Sequence, residues 1–271
     1  MITGAAGASR KSMFEYLKAN KADIIRMKTA EHKRSEAVYY VIPADAPKAA
    51  AKAYLYENNE ERGILKRTIV ANTYLWLDSH DDVHIPGIFT KSISERGARA
   101  PHMHDHEFTL EAKVGNVLGY TEREIEWSEL GVDIKGKTTS LFLESEILED
   151  YNKKIYKMYL KGQIDQHSVS MRYVRVDMAF DDEEYPDEYK VWKSLIDKIG
   201  NREKAVEQGY FFAVREAQLI ETSAVVAGSN ELTPTLGANQ VPDPNKSTPV
   251  PPLIALDIEG ILKSYTSTLK S

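Results

Sequence analysis

Short strand-like runs outnumber helical runs in the middle of this sequence, and this order of elements constrains the fold more than any other feature. Apolar and β-branched residues recur between turn residues, which is typical of strands. These runs lie at residues 38–42, 53–56, 64–70, 107–118 and 138–144. A doubly wound parallel sheet would need a helix after almost every strand. The sequence therefore predicts an α+β fold with a mainly antiparallel β-barrel or sheet and surrounding helices.

Three helical segments are predicted around this sheet. Residues 9–32 carry apolar side chains at helical spacing among many charges, so this helix either packs on the domain or docks on a partner or scaffold. Residues 146–160 repeat the pattern between Ser145, a suitable N-cap, and Gly162, which favours termination. Pro186 is well placed to open the third helix.

The composition changes after Ser229. Six of the eleven prolines lie between Pro234 and Pro252, which is typical of a linker. An apolar stretch follows and predicts a docking helix or a recognition peptide. The predicted organisation is an N-terminal helical extension (1–35), a main domain (36–228), a Pro-rich linker (229–252) and a C-terminal apolar tail (253–271).

The composition also restricts the chemistry. The chain has no cysteine, which excludes disulfides, thiolate metal sites and cysteine nucleophiles. A hydrolase built on it must use a hydroxyl, a carboxylate or a metal-activated water. The net charge of −6 without a basic stripe predicts no nucleic-acid partner. Without a signal-peptide pattern or a run of roughly 18 apolar residues, we expect a cytoplasmic protein with no membrane partner.

A strand is predicted over His167–Phe180, and it carries the first candidate for catalysis. Because side chains alternate along a strand, Val169 and Met171 would face the core while Ser170 faces the other way. The apolar residues change face after Tyr173, which predicts either a β-bulge there or a strand buried on both faces near its end. The polar face is either a solvated surface or the place of a nucleophilic serine.

Three of the seven histidines, His102, His104 and His106, stand at alternate positions. On one face of a strand they would suit a divalent metal ion. Alternatively, one of them serves as the base that a serine hydroxyl needs, or all three lie in a polar loop. Glu221 stands in an otherwise apolar strand, where it is either exposed at an edge or buried and paired with a histidine.

Four segments resemble motifs of the prohead (procapsid) maturation proteases of tailed phages. Residues 78–89, with Lys91-Ser92-Ile93 after them, resemble the acidic turn and "PGAF…SL" element, and residues 102–105 resemble "W-N-H-D". Residues 168–173 resemble "G-L-S-I-G-F", and residues 219–226 resemble "L-x-E-V-S-L-V". The four segments occur in the family's order.

The resemblance implies a serine endopeptidase with an assemblin-like fold, without cofactor or metal. Ser170 would be the nucleophile, His104 its base and Glu221 the third member of the triad. The implied partners are the phage major capsid protein and the scaffold, which it would cleave during procapsid maturation inside the procapsid in the host cytoplasm. Self-cleavage, for which the Pro-rich linker is an accessible site, and self-association there are implied as well.

This chain departs from the family pattern at several positions. The two glycines of "G-L-S-I-G-F" are Ser168 and Arg172, and His102 replaces the tryptophan before the catalytic histidine. The family's "P-I-G" after the histidine is represented only by Val114-Gly115, which follows His104 at a longer distance than in the family. Residues 186–208 look like an insertion relative to the family pattern. Two other functions stay open: a metal-dependent hydrolase using His102, His104 and His106, and a non-catalytic capsid assembly or scaffold protein.

Overall fold

The structure, a computed structural model, describes residues 10–30, 56–96 and 99–237. Within these ranges the chain has nine strands and six α-helices, an α+β fold as predicted. The strands are β1 (Tyr56–Asn59), β2 (Ile64–Thr73), β3 (Asp82–His84), β4 (His102–His104), β5 (Lys113–Glu126), β6 (Lys137–Leu148), β7 (His167–Phe180), β8 (Tyr210–Ala224) and β9 (Thr235–Leu236). The helices are α1 (Arg10–Ala19), α2 (Lys21–Ala30), α3 (Thr90–Arg96), α4 (Lys153–Leu160), α5 (Pro186–Leu195) and α6 (Arg202–Gln208). The strand predicted at 38–42 and the tail at 253–271 lie outside the described residues.

All nine strands belong to one mixed sheet, in the order β1-β2-β6-β5-β4-β8-β3, with β7 paired to β8 and β9 paired to β2. Most pairs are antiparallel, but β3 and β4 run parallel to different parts of β8. β7 runs antiparallel along the whole of β8. The sheet is open, so the closed barrel that the sequence allowed is not formed by the described strands.

The N-terminal segment forms two helices and packs on the sheet. The single predicted helix is interrupted at Asn20, whose side-chain amide donates to the carbonyl of Tyr16 at 2.8 Å. Phe14 of α1 stacks on Phe180 with ring centroids 5.0 Å apart, and Ile24 of α2 is buried. The first helical segment therefore contributes to the main core.

The boundary between β6 and α4 differs from the prediction. The strand continues to Leu148, because Ser145 and Ile147 are both buried at alternate positions between β2 and β5. The helix begins only at Lys153, capped by Asn152, whose side-chain oxygen accepts from the backbone N–H of Ile155 at 3.1 Å. The predicted N-cap, Ser145, therefore lies inside the sheet.

The first residues assigned to the linker are folded. Leu232 and Leu236 are buried in a core with Trp76, and Thr235 of β9 pairs with Ile69 of β2. The folded part therefore extends beyond the predicted boundary at Ser229, to Gly237, the last residue described. In the described part of the chain, no helix combines the length and apolarity needed to cross a membrane.

Candidate functional site

Two neighbouring strands bring Ser170 and Glu221 face to face. Ser170 of β7 is the antiparallel partner of Glu221 of β8, so both side chains lie on the same face of the sheet. The two residues are 4% and 1% exposed. A buried carboxylate needs hydrogen-bond partners, since leaving it unpaired would cost several kcal/mol, on the order of 3–5. Of the two alternatives for Glu221, exposure at a sheet edge and burial, the structure therefore shows burial.

A tight turn after β4 carries a histidine over this pair. Asp105 and His106 have φ values of 53° and 56°, and the N–H of Glu107 donates to the carbonyl of His104 at 3.1 Å. Two consecutive left-handed residues closed by such a bond are typical of a type I′ turn. Because β4 runs parallel to β8, the turn lies beside Ala224, whose carbonyl accepts from the N–H of Asp105 at 2.9 Å.

The buried imidazole of His106 contacts both members of the cross-strand pair. Its Nδ1 lies 2.5 Å from Oε1 of Glu221 and 3.1 Å from Oγ of Ser170. The second oxygen of Glu221, Oε2, accepts from the hydroxyl of Ser223 at 2.7 Å. Both carboxylate oxygens are thus hydrogen-bonded, and a serine, a histidine and a glutamate from three separate segments meet in one buried cluster.

The two nitrogens of His106 are used unequally. Ser170 and Glu221 share Nδ1, whereas Nε2 is buried and has no hydrogen-bond partner among the described residues. A histidine that activates a serine directs one nitrogen to the carboxylate and accepts the hydroxyl proton on the other. Rotation of the His106 side chain that keeps Nδ1 on Glu221 and turns Nε2 toward Ser170 would give each nitrogen one partner.

His104, the predicted base, lies outside this cluster. Its Nδ1 is 3.0 Å from Oδ2 of Asp105, and its Nε2 is 3.3 Å from the side-chain nitrogen of Asn152. The structure thus brings Ser170 and Glu221 together, as the prediction required, but places His106 rather than His104 between them. The physical reason is the turn, because the chain reverses after His104 and the strand alternation assumed for the three histidines ends there.

One feature of the sequence favours His106 over His104. The stretch from the catalytic histidine to Val114-Gly115 is longer than the phage protease pattern when counted from His104. Counted from His106 instead of His104, it is two residues shorter. The residues of the turn carry no comparable sign of its conformation, since this conformation depends on the pairing of β4 with β8.

The three alternating histidines do not converge on a common point. His102 is fully buried, with Nδ1 2.8 Å from Oγ of Ser145 and Nε2 3.1 Å from the hydroxyl of Tyr159. The same hydroxyl is 2.8 Å from Nε2 of His167, whose Nδ1 donates to the carbonyl of Thr233 at 2.8 Å. Burial, together with His167, lowers the pKa of His102 to about 3, and burial lowers the pKa of His167 to about 4. This is a network of neutral core histidines.

A second polar cluster follows β2. A ring nitrogen of His80 and one carboxylate oxygen each of Asp78 and Asp82, all atoms that could bind a metal ion, lie within 4.8 Å of one another. Asp82 is ion-paired with Lys28 and accepts from the hydroxyl of Tyr173 at 2.8 Å. Burial and then the neighbouring Asp82 raise the pKa of Asp78 to about 8. A lysine therefore already supplies positive charge to this cluster, which we interpret as a buried ion-paired turn.

Comparison of the chain with known proteins gives no match among family models, curated proteins or solved structures. The likeness to phage maturation proteases consequently rests on the short motifs quoted above. The chemistry of the site has to be inferred from the geometry of Ser170, His106 and Glu221.

Proposed function

We propose that this protein is a serine endopeptidase with Ser170 as nucleophile, His106 as general base and then general acid, and Glu221 as the orienting carboxylate. The observation that carries the proposal is that Ser170 and Glu221, on adjacent strands, both hydrogen-bond to one buried imidazole. A serine hydroxyl is a weak nucleophile, and an adjacent base held by a third group is the arrangement that activates it.

The reaction would follow the ordinary sequence of acyl transfer. Oγ of Ser170 attacks the peptide carbonyl carbon while His106, with Nε2 turned toward the hydroxyl, takes its proton. Glu221 holds Nδ1–H and stabilises the imidazolium. As the C–N bond breaks, His106 gives the proton to the leaving amine. In the second half of the reaction His106 takes a proton from the water that attacks the acyl-enzyme, and it returns this proton to Oγ of Ser170 as the ester bond breaks and the carboxylic acid product leaves.

Three exposed apolar side chains stand near residues of the proposed site in the sequence. Phe108 and Leu110 follow His106 on the same loop and are 64% and 87% exposed, and Val226 follows β8 and is 83% exposed. Exposed apolar residues gathered beside a site are typical of a binding surface. We propose that a peptide substrate with apolar residues near the scissile bond packs on some of them.

We further propose that the substrates are the scaffold or capsid-protein segments of a tailed-phage procapsid, with self-cleavage in the Pro-rich linker. The support is the order of the four short motifs and the presence of Ser170 and Glu221 in one buried cluster. In this proposal the fold is a variant of the assemblin-like architecture with an open sheet, and the enzyme acts inside the procapsid in the host cytoplasm. The closest alternative is an assembly protein of the same fold that does not cleave.

A fluorophosphonate probe separates these two functions, because it labels only an activated serine. Purified wild-type protein should be labelled at Ser170, as located by mass spectrometry, and Ser168→Ala should be labelled as well. Ser170→Ala and His106→Gln should not be labelled, whereas His104→Gln should behave as wild type. Labelling that persists in Ser170→Ala, or an unlabelled wild-type protein, would contradict the peptidase proposal.

A further inference from the structure

We infer that Ser223 is a positioning residue of the proposed site, which holds both Glu221 and the turn that carries His106. This inference rests on the proposed function. Ser223 is fully buried, and its hydroxyl oxygen accepts from the backbone N–H of His106 at 3.1 Å. The same hydroxyl donates to Oε2 of Glu221 at 2.7 Å.

The directions of these two hydrogen bonds are fixed by chemistry. A backbone N–H can only donate, so the oxygen of Ser223 must accept from His106. The single hydroxyl hydrogen is then free for the carboxylate, which accepts from it when ionised. Ser223 therefore joins the main chain of the base to the side chain of the orienting acid through one atom.

This link holds the carboxylate of Glu221 and the backbone of His106 in place. Glu221 divides its oxygens between Ser223 and Nδ1 of His106, so rotation of the carboxylate group would break both bonds. The backbone of His106, held in a left-handed conformation at φ 56°, is tied to Ser223 as well. The proposed mechanism then needs a rotation of the His106 side chain that turns Nε2 toward Ser170 while Nδ1 stays on Glu221.

The hydrogen bonds of the Ser223 hydroxyl go to His106 and Glu221 and not to the nucleophile Ser170. The antiparallel partner of Ser223 on β7 is Ser168, and this pair lies two positions along the ladder from the pair of Ser170 and Glu221, on the same face of the sheet. Ser223 also has Met103 of β4 as its parallel neighbour. A role in turnover would therefore be exerted through His106 and Glu221.

The inactivation kinetics of the full chain with a fluorophosphonate test this role. Ser223→Ala should lower the maximal inactivation rate by about 10- to 100-fold, a range typical for loss of a group that orients a reactive side chain. The half-saturating concentration of the probe should stay close to wild type. Ser223→Thr, which keeps the hydroxyl, should recover most of the rate. The matched control is Ser140→Ala, which removes another buried serine hydroxyl, 3.0 Å from that of Thr73, and should leave the rate unchanged.

A second readout does not depend on activity. The Nδ1–H of His106 should give a downfield proton NMR resonance in wild type that disappears in His106→Gln. It should persist in Ser170→Ala and in Ser140→Ala, and it should broaden or move upfield in Ser223→Ala. A wild-type rate and an unchanged resonance in folded Ser223→Ala would overturn the inference. If wild type does not react with the probe at all, the peptidase proposal fails, and the resonance still decides whether Ser223 holds the pair of His106 and Glu221.

Discussion

Ser170 and Glu221 are directly opposed in the antiparallel pairing of β7 and β8, and both are hydrogen-bonded to Nδ1 of His106. A one-residue slip in this pairing would move one of the two side chains to the other face of the sheet. The register of these two long strands therefore fixes which serine and which carboxylate can share a base.

The choice of base gives the first prediction. Replacing His106 with Gln should reduce cleavage of co-expressed capsid and scaffold proteins by at least about 1,000-fold, because the serine loses its proton acceptor. Replacing His104 with Gln should change cleavage by only a few-fold. Mass spectrometry of the processed proteins measures both. The opposite ranking of the two variants would return the role of base to His104.

Glu221→Gln keeps the shape of the side chain but removes its charge. The amide no longer stabilises an imidazolium and can favour the wrong tautomer of His106, so the cleavage rate should fall by about 1,000- to 10,000-fold. Circular dichroism should show a folded protein, since the amide can still hydrogen-bond to His106 and Ser223. Cleavage by this variant at the wild-type rate would exclude Glu221 from the triad.

Asp78 should make stability depend on pH. Its pKa is raised to about 8 in the folded chain from an ordinary 3.8. Its contribution is therefore fully present below about pH 4 and is lost as the pH rises through about 8. Asp78→Asn should therefore stabilise the protein clearly more at pH 8 than at pH 4, where the carboxyl group is already neutral. Urea unfolding at both pH values measures this, and an equal gain at both would contradict it.

The buried histidines predict the opposite trend at acidic pH. His102 and His167 have pKa values lowered to about 3 and about 4, below the ordinary 6.5. The unfolded chain therefore binds protons below pH 6.5 that the folded chain does not, and stability is lost as the pH falls. Each histidine should steepen this loss by on the order of 1 kcal/mol per pH unit between pH 6 and 4, with a smaller effect from His167 near pH 4 because its folded pKa lies there. The unfolding free energy of His102→Gln should fall less steeply over this range than that of wild type.

The lysines of the N-terminal helices should differ in importance. Lys28 pairs with Asp82, whose side chain is completely buried, so Lys28→Met should cost about 3–5 kcal/mol. Lys21→Met is the matched control, because Glu188 would keep its ion pair with Lys18, and we expect a loss below about 1 kcal/mol. Denaturant unfolding of the two variants measures the difference, and equal losses would show that Asp82 does not depend on Lys28.

Features that depend on local pattern were predicted well from the sequence. β7 has the predicted bounds, and its pairing with β8 shifts register after Tyr173, where a bulge was expected. After Tyr173 the residues expected to be buried are Val174, Val176 and Met178. Val176 and Met178 are buried, but Val174 is 51% exposed. Strand periodicity was informative here because it depends on neighbouring residues.

Features that depend on distant pairing were predicted poorly. The turn at His106 is set by the parallel pairing of β4 with β8, whose partners lie more than a hundred positions away. Thr235 pairs with Ile69, which is far away in the sequence, and so joins the sheet although the proline-rich composition around it predicted a linker. In both places the conformation depends on tertiary contacts, which the neighbouring residues in the sequence do not predict.

The ion pairs that join α1 and α2 to the rest of the chain have a practical consequence for truncation. A shortened protein that starts at residue 36, the predicted start of the main domain, would leave the carboxylates of Asp82 and Glu188 without their lysines. It would also uncover the ring of Phe180, on which Phe14 stacks. A minimal folded fragment should therefore begin at or before Arg10.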